Sequence, residues 1–132
     1  MPAKHSIDDN NQLIITTWSG EATDSVLVES MKEYQQNIRS NPLYSSYNEI
    51  LDFRNIVDIK LSTAGMVKLG RIATETDNSG AKTKLAIIVN SNFTFVLARI
   101  YITYRNLSPK AKKIIHVFKT EAEGIKWINN DS

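Results

Sequence analysis

The feature that most constrains the fold of this chain is a regular alternation between short strand-like segments and longer helix-like segments. Residues 85–89 (Leu-Ala-Ile-Ile-Val) form an unbroken apolar run, which is typical of a strand covered on both faces in a parallel sheet. Earlier in the chain, Leu27, Met31, Tyr34 and Ile38 recur at spacings of three and four, which predicts one face of a helix. Strands that alternate with helices indicate an α/β sheet.

Turn residues and helix caps place the segments in the order β-β-α-β-α-β-α-β-α. The first two strands, 5–8 and 12–18, flank three turn-forming residues and predict an edge hairpin, with Gly20 ending the second strand. The other predicted elements are a helix from Thr23 or Asp24 to 39, a strand 47–53, a helix 64–76, a strand 85–89, a helix 93–107, a strand 114–118 and a helix from Thr120 to 129. We therefore predict one α/β domain over residues 1–132, with a mostly parallel central sheet and an N-terminal hairpin.

Composition narrows the possible functions. The chain has no cysteine, which excludes disulfides, thiolate metal sites and cysteine nucleophiles. A net charge of +2 does not predict a nucleic-acid partner. No stretch approaches the roughly 20 apolar residues that cross a bilayer, and residues 1–11 lack the apolar core of a signal peptide. We expect a cytoplasmic protein with no membrane span.

The sequence offers no convergent set of reactive groups. Its two histidines, His5 and His116, have no neighbouring histidine and no acidic residue at metal-ligand spacing, so both are expected to be structural. The five glycines are isolated, and neither a phosphate-binding loop nor a Gly-x-Ser-x-Gly elbow is present. Asp52 with His116 is the one speculative catalytic pair. We therefore expect no catalytic residue, no metal, no cofactor and no enzymatic activity.

Asp52 and Arg54 are the first candidate binding residues. Asp52 lies at the carboxyl end of a predicted strand, which is where open α/β sheets place their ligands. Arg54 follows two positions later, so the pair either holds a small polar group or forms a surface ion pair.

Ser62 and Thr63 open the second predicted helix. A hydroxyl in this place satisfies free backbone N–H groups of the first turn. The same place also suits a phosphate group, because the N-terminus of a helix favours negative charge. Ser62 and Thr63 are therefore candidate phosphorylation sites as well as candidate caps.

The third predicted helix carries more apolar surface than one face needs. Its apolar stripe contains Phe93, Val96, Leu97, Ile100, Tyr101, Tyr104 and Leu107. Phe95, Ala98 and Ile102 lie outside this stripe, where Arg99 is one of few polar residues. A helix that is apolar over most of its circumference buries a second face. Deep burial, a homodimer interface and a groove for an apolar ligand all remain open, and Phe95, Arg99 and Ile102 are candidate binding residues.

Two internal segments carry a family resemblance. Residues 49–58 read Glu-Ile-Leu-Asp-Phe-Arg-Asn-Ile-Val-Asp, and residues 62–69 read Ser-Thr-Ala-Gly-Met-Val-Lys-Leu. Together they resemble the central strand, loop and helix start of STAS domains, the sulfate transporter and anti-sigma factor antagonist modules. Residues 117–122 and 127–128 are similar to the end of SpoIIAA-like proteins of the STAS/Sec14-type group.

The resemblance implies a SpoIIAA-like fold and a non-catalytic regulatory or protein-interaction module with a protein partner. It places the family's strand-end aspartate at Asp52 and its phosphorylated residue at Ser62, with Thr63 second. The chain departs from the family pattern at Leu61, where the family has an aspartate before the serine. The alternative function, suggested by the third helix, is binding or sensing of a small apolar or amphipathic ligand beside that helix.

Overall fold

A computed structural model describes residues 3–39, 41–44, 46–74, 83–91, 95, 98–103 and 113–130. Its strands are β1 (Ala3–Asp8), β2 (Leu13–Thr23), β3 (Asn48–Lys60), β4 (Lys84–Ile88) and β5 (Ile114–Phe118). Its helices are α1 (Asp24–Tyr34), which continues into a π-helical turn (Gln35–Arg39), then α2 (Thr63–Thr74), α3, described at 95 and 98–103, and α4 (Glu121–Ile128). The predicted α/β class and order of elements are confirmed.

The five strands form one sheet in sequential order, β1-β2-β3-β4-β5. β1 and β2 are antiparallel, as the predicted hairpin requires, and the pairs from β2 to β5 are parallel. Each parallel step is a crossover through one helix, and such crossovers are right-handed. Because every step moves in the same direction along the sheet, that rule puts α1, α2 and α3 on one face.

The hydrophobic clusters confirm this arrangement of layers. Trp18 of β2 packs with Leu27 of α1 and Ile72 of α2. Ala98 of α3 packs with residues of β4 and β5 on the same face of the sheet: Leu85, Ile87, Val89 and Ile115. Among the described helices, α4 covers the opposite face, where Ile128 joins a cluster made of Leu13, Ile50, Ala86 and Ile88.

Local sequence signals set most of the helix starts. The hydroxyl of Thr23 accepts the Val26 N–H at the start of α1, and that of Thr120 accepts the Glu123 N–H at the start of α4. The Thr120 hydroxyl also donates to Glu123 Oε1 at 2.9 Å, which closes the predicted Thr-x-x-Glu motif. None of the described helices is long and apolar enough to span a bilayer.

The predicted ends of β2 and β3 are wrong. β2 continues through Gly20, whose φ is +80°, as far as Thr23, and β3 continues seven residues past its predicted end at Phe53 to Lys60. The two strands pair with each other out to Thr23 and Lys60, with two shifts of register on the way. This pairing gives the backbone of Gly20 its partners, so the glycine does not terminate the strand.

The face of α3 also differs from the predicted stripe. Ala98 is buried, and Phe95, Tyr101 and Ile102 pack against the cluster of β4 and β5. Ile100, which the stripe placed on the buried side, has 38% of its surface exposed. Spacing alone did not show which part of an almost wholly apolar helix turns toward the sheet. The remaining stripe positions lie outside the described residues.

Candidate functional site

A cavity of about 110 Å³ lies between the sheet and the layer formed by α1, α2 and α3. Three alanines from three elements line it: Ala22 of β2, Ala73 of α2 and Ala98 of α3. Their short side chains leave space that longer aliphatic side chains would fill. The other apolar lining residues include Trp18, Leu27, Met31, Leu51, Phe53, Leu69, Leu85, Ile87, Val89 and Tyr101. The cavity is therefore suited to a small, mainly apolar molecule.

A buried ion pair forms part of the lining. Lys113, just before β5, donates to Glu49 Oε1, and the hydroxyl of Tyr34 donates to Glu49 Oε2 at 2.9 Å. The side chains of Lys113 and Glu49 are only 6% and 5% exposed. Each charge is thus neutralised by its partner, as a buried charge requires.

His5 supplies a second polar contact in the lining. Its ring Nδ1 lies 2.8 Å from Thr16 Oγ1, and the ring is 5.0 Å from that of Tyr34. Burial lowers the pKa of His5 and outweighs the opposite effect of Glu33. The neutral imidazole is therefore favoured.

Trp18 is the exception among the polar groups around the cavity. Its side chain stacks on Phe53, with ring centroids 5.8 Å apart, and the residue is only 5% exposed. The indole Nε1–H is buried and has no hydrogen-bond acceptor among the described residues. A buried donor without a partner costs about 1–3 kcal/mol. Trp18 thus lines the cavity, and its N–H makes no hydrogen bond with the described residues.

Asp52 and Arg54 lie elsewhere, against α4. Arg54 Nε and Nη2 donate to the two carboxylate oxygens of Asp52 at 2.9 and 2.7 Å, and Nη2 also reaches Glu121 Oε2 at 3.0 Å. Burial raises the pKa of Asp52, but hydrogen bonds and charge from Arg54 outweigh it, so the pKa lies below the usual value. The two residues bind each other, and the pair ties the middle of β3 to the start of α4.

Ser62 begins α2 and links it to α1. Its hydroxyl accepts the Gly65 N–H at 3.0 Å, so Ser62, not Thr63, caps the helix. The same hydroxyl donates to Asp24 Oδ2 at 2.5 Å, and the Ser62 N–H donates to Asp24 Oδ1 at 2.8 Å. These two hydrogen bonds, the hydroxyl's first, lower the pKa of Asp24. Ser62 and Thr63 are both exposed.

The candidate residues of α3 do not join Asp52 and Arg54. Phe95 and Ile102 are partly buried on the face of the sheet that α1 and α2 also cover. Arg99 is exposed, and its guanidinium carbon lies 6.0 Å from the Phe95 ring centroid. The sequence candidates therefore occupy three separate places: the Arg54–Glu121 contact, the start of α2, and α3.

The sequence reasoning missed the cavity's polar residues and Trp18. One signal was present: Glu49, Leu51 and Phe53 alternate along β3, so Glu49 shares its face with two apolar residues. A carboxylate at an inward position needs a buried partner. That partner, Lys113, lies 64 positions away, and a local pattern does not reach so far.

The order of elements, the N-terminal hairpin and the parallel core define a SpoIIAA-like α/β domain, which confirms the fold that the resemblance implied. The structure is similar to that of an uncharacterized DUF3478-family protein with a SpoIIAA-like fold from Shewanella loihica PV-4. The TM-score is 0.55 at 11% sequence identity, over 96% of this chain and 91% of the other. No family model and no curated protein matches the chain.

Proposed function

We propose that this chain is a non-catalytic regulatory module that binds a small apolar or amphipathic molecule in the cavity beside α3. The observation that carries the proposal is the cavity itself, about 110 Å³ in volume and lined mainly by apolar side chains. Apolar cavities of about 150 Å³ inside proteins stay dry and take up benzene. A ligand of similar size would gain the same apolar contacts here.

Binding in this cavity would act on the rest of the molecule through α3. Ala98 and Tyr101 of this helix line the cavity, whereas Arg99 and Ile100 are exposed to solvent. A ligand shifts a conformational equilibrium only when it binds one state better than the other. A ligand that contacts the inner side of α3 would favour one position of the helix, and its outer side would present that position to a protein partner.

The proposed role is binding because the polar groups of the cavity already engage one another. Lys113 and Tyr34 hold the carboxylate of Glu49, and Thr16 holds His5. A general base needs its lone pair within reach of a substrate proton. These contacts commit the carboxylate of Glu49 and the Nδ1 atom of His5 to structural partners.

Filling the cavity should abolish ligand binding. Ala98→Leu places a larger aliphatic side chain in the cavity, and we expect it to weaken the binding of benzene by about tenfold or more. Benzene binding is measured from methyl chemical shifts of the folded protein during a titration. Ala122→Leu, on the exposed side of α4, is the matched control and should bind benzene as the wild type does.

Circular dichroism separates lost binding from lost folding in Ala98→Leu. If that variant unfolds, Ala73→Leu fills the same cavity from α2 and should give the same result. A wild-type protein without a saturable shift would contradict the proposal, as would unchanged binding in a folded cavity-filled variant. Native mass spectrometry of freshly purified wild-type protein should also detect a bound small molecule that the folded variant lacks.

We propose as a second candidate function that the module interacts with a protein partner under the control of phosphorylation at Ser62. The observation that favours it is the exposed hydroxyl of Ser62, which bonds to Asp24 and thereby joins the first turns of α1 and α2. A phosphate group would add about −1.5 to −2 charges beside the Asp24 carboxylate. Repulsion between the two groups would separate the helix starts and alter the surface that they form.

A negative charge at Ser62 should destabilise the protein more than loss of its hydroxyl does. Ser62→Ala removes the cap of α2, which should lower the free energy of unfolding by about 1 kcal/mol. Ser62→Glu also repels the Asp24 carboxylate, so it should lower the free energy of unfolding by more than Ser62→Ala does. Adding Asp24→Asn to Ser62→Glu should remove that excess. Thr63→Ala is the matched control and should stay close to the wild type. Urea unfolding measures all four variants, and equal stabilities of Ser62→Ala and Ser62→Glu would contradict the switch.

A further inference from the structure

We infer that the outer edge of β5 pairs with the same edge of a second copy of this chain, so that the two sheets join into one. The pairing is antiparallel, and its two-fold axis passes through His116. The inference goes beyond the proposed function and does not depend on a ligand. Two features of β5 carry it: backbone groups that no described residue binds, and a sequence that is complementary to itself.

β5 is the last strand of the sheet, and in the described part of the chain only its β4 side is paired. The N–H of Ile114 donates to a residue that flanks β4, and the carbonyl of Phe118 accepts from another, each at 2.9 Å. Backbone groups of alternate residues in a strand point to the same side. The N–H and C=O groups of Ile115 and Val117 therefore point away from β4, and no described residue pairs with them.

The two edges of the sheet differ in how they are protected. An unpaired strand edge is a template for another strand, and proteins usually protect such edges with charged side chains. β1, at the other edge, carries Lys4 and Asp8. β5 reads Ile-Ile-His-Val-Phe, with no lysine, arginine, aspartate or glutamate, and its Ile114 is 46% exposed. Of the two edges, β5 is therefore the one that admits another strand.

The outward backbone groups select the register of the pair. Two residues that face each other in an antiparallel pair exchange two hydrogen bonds when both point their backbone groups at the partner strand. A two-fold axis at His116 places Ile115 opposite the partner's Val117, and Val117 opposite the partner's Ile115. Every outward N–H and C=O group of these residues then has a hydrogen-bond partner. The same register places Ile114 opposite the partner's Phe118, so apolar side chains meet.

The charges beside the strand also allow a second copy to pair. In this register Lys113 stands opposite the partner's Lys119, at the two ends of the strand pair. Lys113 is bound to Glu49, and the Nζ atom of Lys119 lies 5.5 Å from the centroid of the Phe95 ring. Both ammonium groups are thus engaged within their own chain. No charged side chain lies between them along β5.

Sedimentation equilibrium of the full chain tests for the dimer. The strand pair is short, and interfaces that bury less than about 1,200 Å² are typically weak, so monomer and dimer should exchange. The apparent mass should rise from 14.9 kDa toward twice that value between about 10 µM and 1 mM protein. Over the same range, hydrogen exchange of the Ile115 and Val117 amides should slow by about fivefold, because the dimer pairs them.

Charges at position 116 test where the axis lies. The two His116 side chains face each other in this register, with Cα atoms about 4.5 Å apart. His116→Glu and His116→Lys each bring two like charges together, so each variant alone should dimerise about tenfold more weakly than the wild type. An equimolar mixture of the two variants pairs opposite charges and should restore the dimer. Ser6→Lys, at an exposed position of β1, is the matched control and should dimerise as the wild type does.

Circular dichroism verifies that the variants are folded, which we expect because His116 is exposed. A constant mass of 14.9 kDa over the whole concentration range would overturn the inference. A dimer that neither charge at His116 weakens would also overturn it, because such a dimer uses another surface, such as α3. So would exchange of the Ile115 and Val117 amides that does not depend on concentration. If the His116 variants do not fold, amide exchange in the wild type decides the outcome.

Discussion

Replacing Lys113 with methionine should lower the free energy of unfolding by about 3–5 kcal/mol, because it leaves a buried carboxylate without its cation. Lys113 and Glu49 are almost fully buried, with side chains 6% and 5% exposed. Methionine keeps the length and apolar character of the lysine stem but removes the ammonium group. Tyr34 still donates one hydrogen bond to Glu49, which does not neutralise the charge. Urea unfolding followed by circular dichroism measures the loss.

A second substitution, at Glu49, tests whether the buried carboxylate charge causes the loss of stability. Glu49→Gln in the Lys113→Met background removes the carboxylate charge and keeps an oxygen that accepts the Tyr34 hydroxyl. We expect this double variant to regain most of the lost stability, since replacing both members of a buried ion pair is often nearly neutral. Lys68→Met, on the exposed side of α2, is the matched control and should change stability by less than about 0.5 kcal/mol. A loss below about 1 kcal/mol in Lys113→Met would show that the pair is not buried as described.

This ion pair also illustrates the limit of sequence reasoning in this fold. Glu49 is the second residue of β3, and Lys113 immediately precedes β5, so the pair connects two strands that β4 separates. Sequence alternation gave the order of strands and helices along the chain but carried no information on the order of strands in the sheet. Without that order, nothing in the sequence brought these two residues together.

The helix starts were easier to predict, because the hydrogen bonds that cap a helix join residues close together in the sequence. The Thr-x-x-Glu motif at Thr120 and the hydroxyl at Ser62 act on backbone groups three residues away. The first cap forms where the sequence predicted, and the second forms at one of the two predicted residues, Ser62 and Thr63. The contact of Ser62 with Asp24 is different, since it spans 38 positions. The sequence therefore predicted a cap at Ser62 or Thr63 but not the link between α1 and α2. The aspartate that the STAS pattern places next to the serine is absent here, and another helix supplies the acidic contact.

The face of α3 was not predictable for a third reason. Its sequence is apolar on most sides, so periodicity gives several nearly equal faces. Packing against β4 and β5 selected the face that carries Ala98, the smallest of the available apolar side chains. That choice leaves room for the cavity. The cavity therefore depends on which face of α3 packs against the sheet, and the apolar pattern of the helix does not determine that face.

Ile88→Ala should lower the free energy of unfolding by about 2–5 kcal/mol, and Gly124→Ala should then recover part of that loss. Ile88 is completely buried on β4, between the sheet and α4. A Cβ atom on Gly124 of α4 would lie 2.7 Å from Ile88 Cδ1 and 3.4 Å from the Ala86 methyl. The glycine therefore permits α4 to approach the strand closely.

The effect of Gly124→Ala should depend on what occupies position 88. In the wild type the new methyl group meets Ile88, and overpacking typically costs about 1–3 kcal/mol. Alanine favours a helix over glycine by about 1 kcal/mol, which offsets only part of this cost. In the Ile88→Ala background the contact is gone, so the same substitution should stabilise by about 1 kcal/mol. The sign of the Gly124→Ala effect should reverse between the two backgrounds.

Ile114→Ala provides the matched background, because this residue lies on the neighbouring strand and is 46% exposed. Gly124→Ala should remain destabilising there, as in the wild type. The same displacement of α4 should weaken the contact between Glu121 and Arg54, which are 3.0 Å apart at the start of the helix. Additive effects of Ile88→Ala and Gly124→Ala would mean that α4 does not rest on Ile88. The close approach of α4 to the sheet is what brings Glu121 to Arg54. Without it, the position of the Asp52–Arg54 pair would depend on β3 alone.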